Sequence, residues 1–120
     1  MKTLVAMCTV AVMASISAAA AGNYKKLSGD QIRAKLVGMQ VTDEVHWREV
    51  YDRDGTFRSY SMGRKKFGKW FIQKDELCID LPEPEGGCFE VGLFGMNIEL
   101  KPVGLGLPSE GVLQPPTDQK

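Results

Sequence analysis

Polar and apolar side chains alternate along most of the segment 39–103, and short turn-forming segments interrupt the alternation. A period of two residues is typical of β-strands that bury one face only. The Asp54-Gly55 pair is a strong hairpin signal, and the Gly- and Pro-containing segment 82–87 cannot continue a strand. The pattern therefore predicts about six short antiparallel strands connected as a meander.

The alternation also predicts which side chains face inward. We expect residues 41–51 to form one strand, with Val45 and Trp47 on its apolar face and His46 on its polar face. In the last predicted strand, residues 97–101, Ile98 lies on the inward face. Such half-buried strands need another element to cover their apolar side.

One helix is predicted before the strands. Ser28 has the residue type of an N-cap, and Gln31 lies at the spacing of a capping box. Leu27 and Ile32 have the spacing of a hydrophobic staple, and Gly38 is a typical C-terminal stop. A helix of about ten residues is marginal by itself, so we expect it to dock on the sheet.

These elements predict an α+β domain. One short N-terminal helix packs on an antiparallel meander of about six strands, which forms a roll or a small open barrel. The domain is expected to cover residues 22–103. Residues 104–120 are rich in Gly, Pro and polar residues, and we expect an extended, partly disordered C-terminal tail.

Residues 1–21 have the pattern of a signal peptide. Lys2 precedes an uncharged apolar stretch that passes into a run of small residues with an Ala-x-Ala cleavage site. An uncleaved membrane anchor is the alternative, but the apolar stretch is shorter than the roughly 20 residues that span a bilayer. We therefore expect an exported, periplasmic protein without a stable membrane anchor after cleavage.

Two cysteines, Cys78 and Cys88, remain after the signal peptide is removed. In an oxidising compartment they are expected to form a disulfide. A pair of metal-binding thiolates is the alternative, but zinc sites normally have four ligands, and the single histidine, His46, is distant in sequence. No metal or cofactor is predicted.

The charge of the chain is balanced, with 15 Lys and Arg against 15 Asp and Glu. Loss of Lys2 with the signal peptide leaves a formal charge of −1. This balance gives no electrostatic reason to expect binding to nucleic acid or to an anionic membrane.

Two charged segments are candidate binding surfaces. A basic cluster surrounds a predicted hairpin turn, and two glutamates lie in the proline-containing loop. Loops mounted on a rigid scaffold commonly carry binding residues, although solvated surface charge explains the same pattern. The candidate residues are Arg64, Lys65, Lys66, Lys69, Glu83 and Glu85.

No catalytic residues are predicted. His46 has no Ser or Cys that the sequence can assign to it, so a hydrolase triad is unsupported. Asp52-x-Asp54-Gly55 begins like a calcium loop, but Gly63 stands where that loop requires a closing Glu. A hairpin turn accounts for the same residues.

The order of short motifs resembles that of a group of small exported proteobacterial proteins of uncharacterised function. The motifs are a helix ending in Gly38, the turn 54–56, the Gly-x-Trp segment 68–70 and the cysteines Cys78 and Cys88. This resemblance implies a periplasmic location and a helix-plus-sheet domain, without catalytic residues. The segment 68–70 is also similar to the Gly-x-Trp of lipocalin-like barrels, where it lies on the first strand.

These features favour a non-enzymatic periplasmic binding or accessory protein that contacts another envelope protein. One version of this hypothesis is that the protein acts as an inhibitor of that partner. The alternative is a carrier of a small apolar ligand in a half-barrel. An envelope enzyme that uses His46 is the least favoured hypothesis. The carrier's pocket would be lined by Trp47, Trp70, Phe71 and Ile72.

Overall fold

The computed structural model describes residues 23–82 and 85–117. The predicted signal peptide and Glu83 lie outside the described residues. The elements are β1 (Lys25–Lys26), α1 (Gly29–Leu36), β2 (Met39–Thr42), β3 (Trp47–Tyr51), β4 (Thr56–Ser61), β5 (Arg64–Gln73), β6 (Glu76–Asp80), β7 (Gly87–Phe94), β8 (Asn97–Pro102) and β9 (Ser109–Gln114).

Strands β2 to β9 form a closed antiparallel barrel of eight strands. Each strand pairs with the next along the chain, and β9 pairs back with β2. The short strand β1 pairs with β7 and lies outside this circuit. The predicted antiparallel pairing is confirmed, but the prediction of an α+β meander of about six strands is wrong.

The first cause of this error is a turn inside the segment 41–51. The Asp43 Oδ1 atom accepts hydrogen bonds from the backbone N–H groups of Val45, His46 and Trp47, at 3.0, 2.7 and 3.0 Å. A carboxylate that satisfies consecutive N–H groups stabilises a turn in place of the sheet ladder. The segment therefore forms two strands, β2 and β3, and Val45 is exposed in the turn between them.

The second cause is strand β9, which forms in the segment 104–120. Leu113 pairs with Val41 of β2 and is 2% exposed, so it is part of the core. The Gly and Pro residues that indicated a tail lie in the loop before β9 and in the residues that follow it. The strand has little alternation of its own, because its stability comes from two neighbours that are distant in sequence.

Helix α1 closes one end of the barrel. The predicted capping box is present: the Gln31 backbone N–H donates to the Ser28 hydroxyl, and the Ser28 N–H donates to the Gln31 side chain. The Gly29 N–H donates to the Asp75 Oδ1 atom in the β5–β6 turn, at 2.8 Å. Ile32 is fully buried, so the apolar side of the helix packs into the barrel interior.

Aromatic side chains fill the half of the barrel next to the helix. The Tyr51 ring makes edge contacts with the rings of Phe57 and Trp70, at centroid distances of 5.4 and 5.8 Å. The Trp70 indole N–H donates to the Asp52 carbonyl at 2.9 Å. The buried indole N–H group of Trp70 therefore has a hydrogen-bond partner, and buried polar groups of an aromatic core need such partners.

The predicted disulfide between Cys78 and Cys88 is present. The two cysteines are directly paired on β6 and β7, with their Cα atoms 4.0 Å apart. The disulfide therefore links two strands that already pair side by side.

Candidate functional site

The two ends of the barrel differ. The β3–β4, β5–β6 and β7–β8 turns lie at the end that α1 covers, which we call the helix end. The opposite end, which we call the open end, carries the other four connections: residues 43–46, residues 62–63, the connection between β6 and β7, and residues 103–108. No secondary structure element in the described parts of the chain covers the open end. The interior of the barrel is therefore expected to be accessible at the open end.

Strand register arranges the interior in layers. Tyr51 and Phe57 are paired in the aromatic layer, close to the helix end. The next layer toward the open end holds Glu49 on β3, Ser59 on β4 and Lys66 on β5. The outermost layer is formed by Trp47, Ser61 and Arg64. The interior thus changes from apolar to polar within two residues along each strand.

The polar layers surround a cavity of about 620 Å³ that opens at the open end. This volume falls in the range of roughly 300–1,000 Å³ typical of small-ligand sites. The cavity lies above the aromatic core, so its floor is closed. We call it the mouth cavity. Its lining residues are Trp47, Glu49, Ser59, Ser61, Met62, Arg64, Lys66, Glu85 and Ser109.

Glu49 is a carboxyl group inside the barrel. Desolvation by the surrounding wall raises its pKa from an ordinary value of 4.5 to about 7, although the hydrogen bond from Tyr51 acts in the opposite direction. The Tyr51 hydroxyl donates to the Glu49 Oε1 atom at 3.2 Å. At neutral pH the carboxyl group therefore exists in both protonation states, and it is able to donate or accept hydrogen bonds.

Trp47 forms one side of the mouth cavity. Its indole ring packs on the backbone of Gly111 in β9, where a Cβ atom would lie 3.1 Å from the ring. The missing side chain at Gly111 leaves the interior space that the indole occupies. This contact holds the indole ring against the barrel wall, where polar side chains of the cavity lining lie beside it.

The predicted basic cluster is divided between two surfaces. It lies on β5, not in a turn, so successive side chains point to opposite faces. Arg64 and Lys66 line the mouth cavity, whereas Lys65 and Lys69 occupy the alternate positions on the outer face. Sequence spacing alone had grouped all four residues in one patch.

The structure brings the two candidate binding segments together. Lys66 of β5 forms an ion pair with Glu85, which lies in the loop between β6 and β7. The hydrogen bond from Lys66 lowers the pKa of the Glu85 carboxyl group, and the nearby Arg64 charge adds to this effect. Both members of the Lys66–Glu85 pair line the mouth cavity.

Large apolar side chains are exposed around the open end. They lie on the 43–46 turn, the 62–63 turn and the 103–108 loop, and their exposure ranges from 53% for Val103 to 102% for Leu105. The helix end has two exposed apolar side chains beside its β7–β8 turn, Phe94 and Met96. We define the apolar rim as Val45, Met62, Val103, Leu105 and Leu107.

His46 lies in the turn between β2 and β3, outside the barrel. Its Nδ1 atom is 3.0 Å from the Asp43 Oδ2 atom, and its side chain is 62% exposed. Burial would raise the pKa of Asp43, but the hydrogen bonds from Trp47, His46 and Val45 outweigh it, so the pKa is well below its usual range. These contacts give His46 a role in the turn.

A second concave surface of about 450 Å³ lies on the outside of strands β2 to β4, near His46. The Arg48 guanidinium group stacks on the Tyr60 ring at 3.9 Å and donates to the Thr117 carbonyl at 3.2 Å. The Thr117 N–H donates to the Gln40 side chain, which is almost fully buried. These contacts attach the C-terminal segment to the barrel wall.

Glu76 lies beside the disulfide, and its carboxylate and the two sulfur atoms are within 4.8 Å of one another. Metal binding by cysteine requires free thiolates. Because Cys78 and Cys88 are bonded to each other, they offer no thiolate ligands in the oxidised protein. Their role there is to stabilise the fold.

The residues of the proposed apolar-ligand pocket do not lie together. Trp70 belongs to the filled core, and Phe71 points outward with 43% exposure. Of the aromatic residues expected to line that pocket, Trp47 borders the mouth cavity. Sequence reasoning missed Glu49, although a Glu between Trp47 and Tyr51 on the apolar face of a strand was an available signal.

None of the helices among the described residues is long and apolar enough to span a membrane. Comparison of the chain with protein-family models, with curated proteins and with solved structures gives no match.

Proposed function

We propose that this chain is a non-enzymatic exported binding protein that docks another exported protein with the open end of its barrel. The observation that carries this proposal is the exposure of Leu105 and Leu107, which reaches 102% and 88%. Large apolar side chains exposed together at one end of a domain are typical of interaction sites, because burying them in a partner removes them from water.

The mounting of the 103–108 loop supports this role. The loop joins two strands of the closed barrel, and the Val103 N–H donates to the Cys88 carbonyl at 3.0 Å. Gly104 and Gly106 have φ values of +112° and +138°, which side-chain-bearing residues rarely adopt. The Val103 hydrogen bond therefore fixes the start of the loop to β7, and the loop presents its leucines at the open end of a rigid barrel.

Charge favours a partner with acidic groups beside an apolar surface. Arg64 and Lys65 are exposed next to Met62 of the apolar rim. Neither cation belongs to an ion pair among residues 23–82 and 85–117. Carboxylates on the partner would pair with these cations and increase the association rate.

Export and a periplasmic location remain part of the proposal. The pattern of residues 1–21 supports export, and so does the disulfide, because disulfides persist in oxidising compartments. An exported partner is consequently the one that this surface would meet.

Site-specific photo-crosslinking in the producing cell tests the docking surface. A photoreactive phenylalanine analogue replaces Leu107 on the rim or, as the matched control, Met96 at the helix end. We expect a crosslink to one protein from position 107 and none to that protein from position 96.

The identified protein is then titrated with purified variants. Leu105→Ser with Leu107→Ser is expected to weaken binding at least tenfold, because both apolar contacts are lost. Phe94→Ser with Met96→Ser is expected to leave binding unchanged. Equal crosslinking from both positions, or unaltered affinity of the rim variant, would overturn the proposal. So would a crosslink only to a second copy of this chain.

A further inference from the structure

We propose that the mouth cavity is a binding site for a small neutral polyhydroxylated ligand, with mono- and disaccharides as the chemical class that fits its lining. This inference does not rest on the docking of a protein at the rim. It follows from the chemistry of the cavity wall, from its floor and from its balance of charge.

The wall offers donors and acceptors side by side. Ser59, Ser61 and Ser109 each carry a hydroxyl group that donates one hydrogen bond and accepts others. Arg64 adds donors, and Glu49 faces the same space from β3. A sugar hydroxyl group also donates and accepts, so a polyol is able to satisfy both kinds of wall group at once.

Trp47 supplies the apolar part of the site. Its indole borders the cavity and is held in place by its contact with Gly111. Sugar rings have faces of C–H groups between their hydroxyl-bearing edges, and such faces pack on aromatic rings. An aromatic surface beside a ring of hydroxyl and charged groups therefore fits an amphipathic ring.

A long apolar ligand fits this cavity poorly. The space below the polar layers is filled by Tyr51, Phe57 and Trp70, so no channel remains for an acyl chain. An acyl chain placed among Glu49, Ser59 and Lys66 would also remove their water without replacing its hydrogen bonds.

The charges that line the cavity do not favour an anionic ligand. Lys66 already pairs with Glu85, and Arg64 lies close enough to Glu85 to lower its pKa. Glu49 is the second acidic group in the cavity, and its protonated fraction at neutral pH lets it donate to a neutral hydroxyl group. The lining thus carries both signs of charge, which suits a ligand without formal charge.

The test is a titration of the disulfide-bonded protein, without residues 1–21, followed by backbone amide NMR. The probes are glucose, N-acetylglucosamine and maltose, with decanoate and inorganic phosphate as competing chemistries. We expect at least one sugar to shift the amide signals of Ser59, Ser61 and Trp47 with a saturable dissociation constant. Tryptophan fluorescence follows the same titration.

Variants assign the binding to the cavity. Arg64→Ala, which removes hydrogen-bond donors, and Trp47→Leu, which removes the aromatic face, are each expected to weaken sugar binding at least fivefold. Lys69→Ala is the matched control on the outer face of the same strand, and its affinity is expected to equal that of the unaltered protein. Fold retention is checked by the dispersion of each variant's amide spectrum.

Three results would overturn the inference. The first is the absence of saturable shifts with all three sugars. The second is saturable binding of decanoate or phosphate in the cavity without sugar binding. The third is sugar binding that Lys69→Ala weakens as much as Arg64→Ala does, since that would place the sugar outside the barrel.

Discussion

The Tyr51 hydroxyl donates to the Glu49 carboxylate at 3.2 Å, and the two residues lie on the same strand and face the barrel interior. Tyr51 is fully buried in the aromatic core, whereas Glu49 borders the mouth cavity. Burial raises the pKa of Tyr51, and the Glu49 charge adds to the effect. This pair therefore marks the boundary between the filled and the open halves of the interior.

The pH dependence of stability is expected to report on Glu49. Its pKa is about 7 in the folded chain and close to 4.5 when the chain is unfolded. Between these values the folded state binds more protons, so the free energy of unfolding falls as pH rises from 4.5 to 7. The contribution of this residue is about 3 kcal/mol at most, from about 1.4 kcal/mol per pKa unit.

Glu49→Gln removes this titration and keeps the shape of the side chain. We expect the variant to be more stable than the unaltered protein at pH 8 and to lose most of the decline between pH 4.5 and 7. Urea unfolding at several pH values measures both quantities. Glu99→Gln, on the exterior of β8, is the control, and identical pH profiles for all three proteins would contradict the burial of Glu49.

Closure of the barrel by β9 predicts unequal effects of two leucine substitutions. Leu113 is 2% exposed, and Leu107 lies six positions earlier with 88% exposure. Leu113→Ala is expected to lower the free energy of unfolding by about 2–4 kcal/mol, because it leaves a cavity in the core. Leu107→Ala is expected to change it by less than about 0.5 kcal/mol. Equal effects in denaturant unfolding would mean that β9 does not belong to the core.

The disulfide is expected to stabilise the folded state chiefly by restricting the unfolded chain. Cys78 and Cys88 are separated by 10 residues, which corresponds to about 2–3 kcal/mol in the chain-entropy model. The double variant Cys78→Ala with Cys88→Ala is expected to fold with a correspondingly lower free energy of unfolding. Comparison with the reduced protein provides the control, and a variant as stable as the oxidised protein would refute the estimate.

The turn at Asp43 is expected to depend on its carboxylate. Asp43→Ala removes the acceptor of three backbone N–H groups and is expected to lower the melting temperature. Because the folded pKa of Asp43 lies below its unfolded value, its contribution is present above that unfolded value and is lost as pH falls. Glu44→Ala, in the same turn, is the control, and an equal effect of both substitutions would contradict this role.

The sequence by itself determined the features that depend on neighbouring residues. Ser28 and Gln31 are three positions apart, so the capping box forms within one turn of helix. Period-two alternation correctly placed Ile98 on the inward face of its strand, because side chains alternate wherever a strand forms. The expected apolar pocket nevertheless included Phe71, which points outward in the structure. The pairing of Cys78 with Cys88 followed from the number of cysteines and the expected compartment.

Only the tertiary structure decided the closure of the barrel and the existence of the mouth cavity. Strand β9 is stable because its two neighbours, β2 and β8, supply its hydrogen bonds and bury Leu113. The cavity is lined by side chains from separate strands and loops, and local pattern cannot show that they face one another. The physical reason is that burial and desolvation depend on the closed wall, which is built from contacts between residues distant in sequence.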